Sequence, residues 1–135
     1  MIAARQLQLV LVTPEKTLLD EPVQALRFPL YDGQIGVLPG RAPVVGRLGY
    51  GELKISTAEG DRSFFVDGGF VQVKGSVVSI LTNRSMPVDE INPGEAEELL
   101  KSSSERSAAS DVDFSSKSRD QERARQMLAL SRRFR

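Results

Sequence analysis

The 135-residue chain contains no cysteine and no histidine. Without cysteine it can form neither a disulfide framework nor a thiolate metal site. Without histidine it lacks the usual general base near neutral pH, the Ser-His-Asp triad and imidazole metal ligands. Because these absences exclude the commonest catalytic and metal centres, we expect no catalytic residues, no metal and no cofactor.

A charge excess and long apolar runs are also missing. The chain carries 18 basic and 18 acidic residues, whereas a general nucleic-acid binder needs a basic surface that displaces counterions. Only nine uncharged residues separate Arg5 from Glu15, and a membrane-spanning helix needs about 20 apolar residues. The first ten residues have no long apolar core and do not match a signal peptide. We therefore expect a cytosolic location and no nucleic-acid partner, while docking onto a membrane complex through protein contacts stays open.

The use of glycine changes along the chain near Val88. Ten of the eleven glycines precede this residue, together with short runs of valine, isoleucine, leucine and phenylalanine. After it, apolar residues are sparse, and serine, glutamate and arginine dominate. This change predicts two domains, residues 1–88 and residues 89–135.

The first domain has the pattern of an all-β protein. Its short apolar runs alternate with polar residues and are separated by turn signals, with Gly68-Gly69 predicted as a tight turn or a bulge. The predicted strands are 7–12, 23–30, 51–57, 63–67, 70–74 and 77–82. Strands at this close spacing favour an antiparallel β-sandwich or a barrel.

The second domain has the pattern of two helices. In the start signal at 92–95, Asn92 serves as the cap and Pro93 as the first helical residue. Ser118 and Gln121 form a capping box that predicts a second helix over 118–134. Eight of the 17 residues from 102 to 118 are serine, which predicts a linker between the helices.

The apolar stripes of these helices are narrow, so each helix needs a partner surface. The predicted apolar positions are Ala96, Leu99 and Leu100 in the first helix and Ala124, Met127, Leu128 and Phe134 in the second.

The two helices differ in charge. Residues 89–113 carry eight acidic and two basic residues, a net charge of −6, and residues 117–135 carry seven basic and two acidic residues, a net charge of +5. An antiparallel hairpin would bring the opposite charges together, and the basic helix could instead bind an acidic partner. Two solvated helix faces are the alternative.

The glycine-rich stretch 32–55 raises the question of a phosphate-binding loop. Such a loop needs the sequence GxxxxGK[ST], and residues 36–41 lack the required lysine and hydroxyl. A GxGxxG motif fails because no third glycine follows Gly49 and Gly51 at the required spacing. We therefore interpret these glycines as turn and bulge residues.

The segments "DGQIGVLPGRAPVVGRLGYGELKI" (32–55) and "FFVDGGFVQVKGSVVSILTN" (64–83) resemble the epsilon subunits of bacterial F-type ATP synthases. The segments "EINPGEAEELL" (90–100) and "SSSERSAASDVDF" (102–114) also resemble the family's C-terminal helices and the turn between them. The resemblance implies an N-terminal β-sandwich of about ten strands and a C-terminal helical hairpin that is mobile in some members.

The same resemblance implies a non-catalytic rotor subunit at the cytoplasmic face of the bacterial inner membrane. Its partners would be the gamma subunit and the c-ring, and it would couple c-ring rotation to ATP synthesis. In an extended state its helices would reach the catalytic beta subunit and inhibit ATP hydrolysis.

Three sets of residues follow from the resemblance. The loop that would contact the c-ring and gamma includes Asp32, Gln34, Arg41, Ala42 and Pro43. The inhibitory basic helix would use Arg119, Arg123, Arg125, Arg132 and Arg133. The family's ATP-binding motif corresponds here to Ile91, Asn92, Glu95 and Ala96.

This ATP-binding motif departs from the family pattern at two positions. Asn92 stands where the family has an aspartate, and Glu95 stands where it has an arginine. Because a carboxylate repels phosphate where a guanidinium would pair with it, we expect weak or no ATP binding.

Two other functions compete with this assignment. A stand-alone β-sandwich adaptor with a basic helical tail would bind a peptide or an acidic partner. A small hydrolase is the weakest alternative, since it would have to work without histidine and cysteine.

Overall fold

The computed structural model describes residues 6–40, 43–105 and 111–133. The chain divides into two compact units, Met1–Pro87 and Val88–Arg135. The first unit is built from strands and the second from helices. The boundary lies one residue before the one that the sequence predicts.

Eight described strands form the first unit. They are β1 Leu7–Val12, β2 Thr17–Val23, β3 Ala25–Leu30, β4 Gly33–Val37, β5 Val44–Thr57, β6 Gly60–Lys74, β7 Val77–Leu81 and β8 Ser85–Pro87. Their order is β2-β1-β7-β6-β5-β3-β4, and β8 pairs with the other end of β6. All neighbours are antiparallel except β1 and β7, which are parallel. The predicted mainly-β fold with appended helices is confirmed, with eight described strands against the expected ten or so.

Buried apolar residues alternate with more exposed residues along the strands, and the buried ones form the core. In β1, Leu7, Leu9 and Leu11 are buried, while the residues between them are half-buried. Phe28 of β3 and Phe65 of β6 are the largest fully buried side chains of the first unit. Burial of a large apolar side chain contributes about 1.5–3 kcal/mol, so this alternation also fixes the register of the strands.

Several of the predicted strand bounds are wrong, and β4 and β8 were not predicted. The segment 23–30 spans the end of β2 and all of β3, which are separated at Gln24. The segment 51–57 is only the second half of β5, which begins at Val44. β5 and β6 pair without a register shift from Val44↔Val73 to Thr57↔Gly60. The glycines of β5 have a poor strand propensity and therefore suggest turns in the sequence. The long pairing with β6 offsets this propensity.

Gly68-Gly69, predicted as a tight turn or a bulge, lies inside the continuous strand β6, so the prediction of a turn is wrong. Both glycines have positive φ angles, 64° and 110°, and the partner of β6 changes there from β7 to β8. A Cβ atom at residue 69 would lie 1.9 Å from the carbonyl oxygen of Leu81. Gly69 therefore lets two backbones approach closely inside a sheet.

The described residues of the second unit form a 3-10 turn at Val88–Glu90 and two helices, α1 Pro93–Glu105 and α2 Asp111–Arg133. The helices pack as an antiparallel pair, because Glu97 lies near Arg132 while Ser104 accepts a hydrogen bond from Gln121 at 3.2 Å. Among the described residues, no helix is both long and apolar enough to cross a lipid bilayer.

The prediction of a serine-rich linker over 102–118 is wrong for most of its length. Residues 102–105 belong to α1 and residues 111–118 to α2, while 106–110 lie outside the described residues. The hydroxyls of Ser102 and Ser103 donate to the carbonyl oxygens of Leu99 and Leu100 at 3.2 and 3.1 Å. Serines that bond back to their own helix, with one of them buried, tolerate a helical backbone despite their low propensity.

The start of the second helix is therefore also different from the prediction. It begins at Asp111 rather than at Ser118, so the proposed capping box lies inside a helix. Of the predicted apolar face, Ala124, Met127 and Leu128 are buried, and Phe134 lies outside the described residues. Leu130 is also buried and was not predicted.

Candidate interaction site

The described part of the predicted contact loop is exposed. Asp32 lies in the two-residue turn between β3 and β4, and Gln34 lies on β4. Pro43 is exposed directly before β5. Arg41 and Ala42 lie outside the described residues.

A row of outward-facing residues crosses four neighbouring strands, and we call it the apolar row. It runs from Val12 on β1 through Leu81 on β7 and Phe70 on β6 to Arg47 on β5, each opposite the next in the strand register. Val45 lies two residues before Arg47 on the same face of β5. Leu81, Phe70 and Val45 are 53, 59 and 76% exposed.

Basic residues lie in and beside the apolar row. Among the outward-facing residues of β1, β7, the 70–74 part of β6 and the first part of β5, the charged ones are Arg47 and Lys74, while the acidic Asp20 lies farther along the sheet on β2, opposite Val10. The Arg47 guanidinium lies 4.6 Å from the ring centre of Tyr31, which is the first residue of the β3–β4 turn. The apolar row therefore continues, through a cation–π contact, to the region of the predicted contact loop.

Sequence reasoning missed the apolar row, although one signal for it is present. In the segment 70–74, Val71 and Val73 are buried, so Phe70 shares the outward face with Gln72 and Lys74. A phenylalanine that shares alternate positions of one strand with polar residues indicates an exposed aromatic side chain. The cross-strand partners of Phe70 depend on register and could not be read from the sequence.

The predicted inhibitory arginines have different surroundings on α2. Arg123 donates to Asp120 at 2.6 Å, and Arg125 lies 3.9 Å from Glu122, both within one helix. Arg132 lies 3.6 Å from Glu97 and so links α2 to α1. Arg119 and Arg133 are exposed.

The residues of the degraded nucleotide motif have structural contacts in the second unit. The side-chain oxygen of Asn92 accepts hydrogen bonds from the N–H groups of Gly94 and Glu95 at 2.9 and 3.2 Å. Ile91 and Ala96 are each 1% exposed, and Glu95 is exposed. Asn92 is thus a helix cap, and its neighbours Ile91 and Ala96 are packing residues.

Comparison with known proteins identifies the family. The family model described as the ATP synthase delta/epsilon chain β-sandwich domain matches residues 6–88. The chain belongs to the epsilon-subunit family of F-type ATP synthases. The ATP synthase epsilon chain of Rhodopirellula baltica is 50% identical over 91 residues, which cover 67% of this chain and 71% of the relative. The match to this family confirms the resemblance found in the sequence.

Two solved structures share the epsilon-family fold. A chain of the Euglena gracilis mitochondrial ATP synthase assembly of OSCP, F1 and c-ring has a TM-score of 0.82 and 25% identity, covering 93% of this chain and 81% of that one. A chain of the Tetrahymena thermophila mitochondrial ATP synthase central stalk and c-ring has a TM-score of 0.72 and 14% identity, covering 93% and 96%. The likeness extends beyond the sandwich, since 93% of the chain includes helical residues.

Proposed function

We propose that this epsilon-family chain is a non-catalytic rotor subunit of the central stalk, which couples c-ring rotation to ATP synthesis through the gamma subunit. The family match over residues 6–88 supports a place in the ATP synthase. The Euglena and Tetrahymena neighbours come from assemblies that contain a c-ring, which supports a place in the rotor. The stand-alone adaptor explains neither observation.

The apolar row is the structural feature on which this proposal rests. Exposed apolar side chains grouped on one sheet face mark a protein-binding surface. We assign this surface to the gamma subunit, because aromatic and apolar anchors flanked by basic residues suit a large partner with apolar and acidic groups. The polar residues Asp32 and Gln34 suit the polar loops of the c-ring.

The basic face of α2 is assigned to the catalytic beta subunit in an extended, inhibitory state. In the folded hairpin Arg132 pairs with Glu97 of α1, whereas Arg123 and Arg125 pair within α2. Separation of the two helices would therefore release Arg132 while the other two pairs move with α2. A peripheral location at the cytoplasmic face of the bacterial inner membrane follows from a rotor role.

Binding to purified gamma tests the proposal. The full chain and gamma are mixed and separated by size-exclusion chromatography, first alone and then with a purified c-ring. We expect a stable 1:1 complex with gamma that also retains the c-ring. An adaptor unrelated to the rotor would elute apart from both, and that result would exclude the proposed function.

A further inference from the structure

Strand β4 forms one edge of the sheet. It pairs with β3 from Leu26↔Val37 to Leu30↔Gly33, and no other strand among the described residues pairs with it. An edge strand presents unpaired backbone N–H and C=O groups, which form a template for another strand.

The backbone groups that point outward can be assigned from the register. The Tyr31 N–H donates to the Arg47 carbonyl oxygen at 2.8 Å, so odd-numbered residues at this end of β3 face β5 and even-numbered ones face β4. Leu30 and Gly33 close a two-residue turn as a hydrogen-bonded pair, in agreement with this alternation. The N–H and C=O groups of Gln34 and Gly36 therefore point away from β3.

The other strands that end the sheet are protected, and β4 is not. β2 contains Pro22, which has no N–H group, and the charged residues Asp20 and Glu21. β8 has only three residues and ends at a proline. The sequence of β4, GQIGV, contains no proline and no charge. Because proteins normally blunt such edges, an open one indicates a pairing site.

Side chains at both ends of β4 suit an apolar partner. Tyr31 and Leu38, just before and just after the strand, are 67 and 65% exposed. Arg47 of the apolar row lies over the Tyr31 ring, so this edge is continuous with the surface assigned to gamma. Gly36 has no side chain that would obstruct a neighbouring strand.

We propose that β4 accepts an extended segment of the gamma subunit as an added strand, with Tyr31 and Leu38 contacting apolar side chains of that segment. This inference rests on the proposed function, because it takes gamma as the partner of the sandwich. The c-ring loops, assigned above to the side chains of Asp32 and Gln34, are short and polar and are poorly suited to pairing along the backbone of the five-residue strand β4.

Hydrogen exchange at single-residue resolution tests the inference on the full chain, free and bound to gamma. In the free chain the amides of Ile35 and Val37 exchange slowly, because they donate to β3, and those of Gln34 and Gly36 exchange fast. In the gamma complex the Gln34 and Gly36 amides slow by on the order of 100-fold. The amides of β2 keep their free-chain rates and serve as the internal control.

Two variants at residue 36 test the outward amide of Gly36 through the affinity of the chain for gamma. Gly36→Pro removes the outward N–H, while Gly36→Ala keeps it and places its Cβ no closer than 3.9 Å to any neighbour. We expect Gly36→Ala to bind gamma at least about tenfold more tightly than Gly36→Pro.

The possible negative results distinguish failure of this inference from failure of the proposed function. A stable gamma complex with fast exchange at Gln34 and Gly36 would overturn this inference and leave the proposed function standing. Protection that appears only when a c-ring is added would also overturn it. Failure of any gamma complex to form would overturn the proposed function and this inference together.

Discussion

Residue 69 has almost no room for a side chain. A Cβ atom there would lie 1.9 Å from the carbonyl oxygen and 2.8 Å from the carbonyl carbon of Leu81, both backbone atoms. Gly75 also has a positive φ angle, 62°, but nothing lies within 4 Å of its Cβ position. Residue 69 therefore combines a steric clash with a φ angle of 110°, whereas residue 75 tests the cost of a left-handed backbone alone.

We expect Gly69→Ala to lower the free energy of unfolding by about 3–5 kcal/mol, and Gly75→Ala to lower it by about 1–2 kcal/mol. Urea unfolding followed by circular dichroism measures both values. Equal losses in the two variants would show that the approach of β6 to β7 is not as close as described.

Phe70 allows a test of the apolar row without damage to the core. Its side chain is mostly exposed, so Phe70→Thr, which keeps a strand-forming residue, should change the unfolding free energy by less than about 1.5 kcal/mol. If Phe70 anchors gamma, the same change weakens binding by at least about tenfold, or about 1.4 kcal/mol. Titration calorimetry with purified gamma gives the affinity.

Gln72 provides the matched control for Phe70, since it is an exposed polar residue two positions along the same strand. Gln72→Thr should reduce gamma affinity by less than about threefold, because polar residues around an anchor contribute little. Similar losses for the two variants would argue against Phe70 as an anchor.

At the scale of elements, Asn92 determines how α1 begins. Its side-chain oxygen accepts two N–H groups of the first turn. Asn92→Ala should therefore lower the stability of the hairpin by about 1 kcal/mol, while Asn92→Asp, which keeps the acceptor, should retain it. Hydrogen exchange of the amides in α1 measures the loss. No difference between the two variants would show that the cap does not limit the helix.

The strands and the helix cap were the most predictable elements. Period-two alternation in 7–12 gives β1 with its observed bounds, because one face of that strand is buried. Asn92 was recognised because a cap depends on residues close in sequence. Predictions failed where tertiary packing decides the structure, as in the serine-rich helices and at Gly68-Gly69.

The candidate site was predictable only in part, for the same physical reason. The turn at Asp32 follows from the local Tyr31-Asp32-Gly33 pattern, whereas the strand β4 that carries Gln34 was not predicted. The apolar row joins residues from β1, β5, β6 and β7, whose register no local pattern fixes. The open edge of β4 likewise appears only once the order of strands is known.

At the scale of the whole molecule, the boundary at Pro87 separates the two units to which we assign different roles. The sandwich unit ends there, and the helical unit begins at Val88. A chain truncated after Pro87 should still bind gamma, and ATP hydrolysis by the reconstituted complex should rise if the helices inhibit it. Steady-state ATPase assays measure this, and unchanged activity with full assembly would remove the inhibitory assignment.

ATP-driven proton pumping in vesicles measures the coupling role of the chain most directly. Complexes depleted of this subunit are compared with complexes to which the full chain or its Phe70→Thr variant has been restored. We predict that the full chain restores pumping per ATP hydrolysed, and that the variant at limiting concentration restores less. Equal pumping with and without the chain would contradict the claim that it joins the rotor to the rest of the synthase.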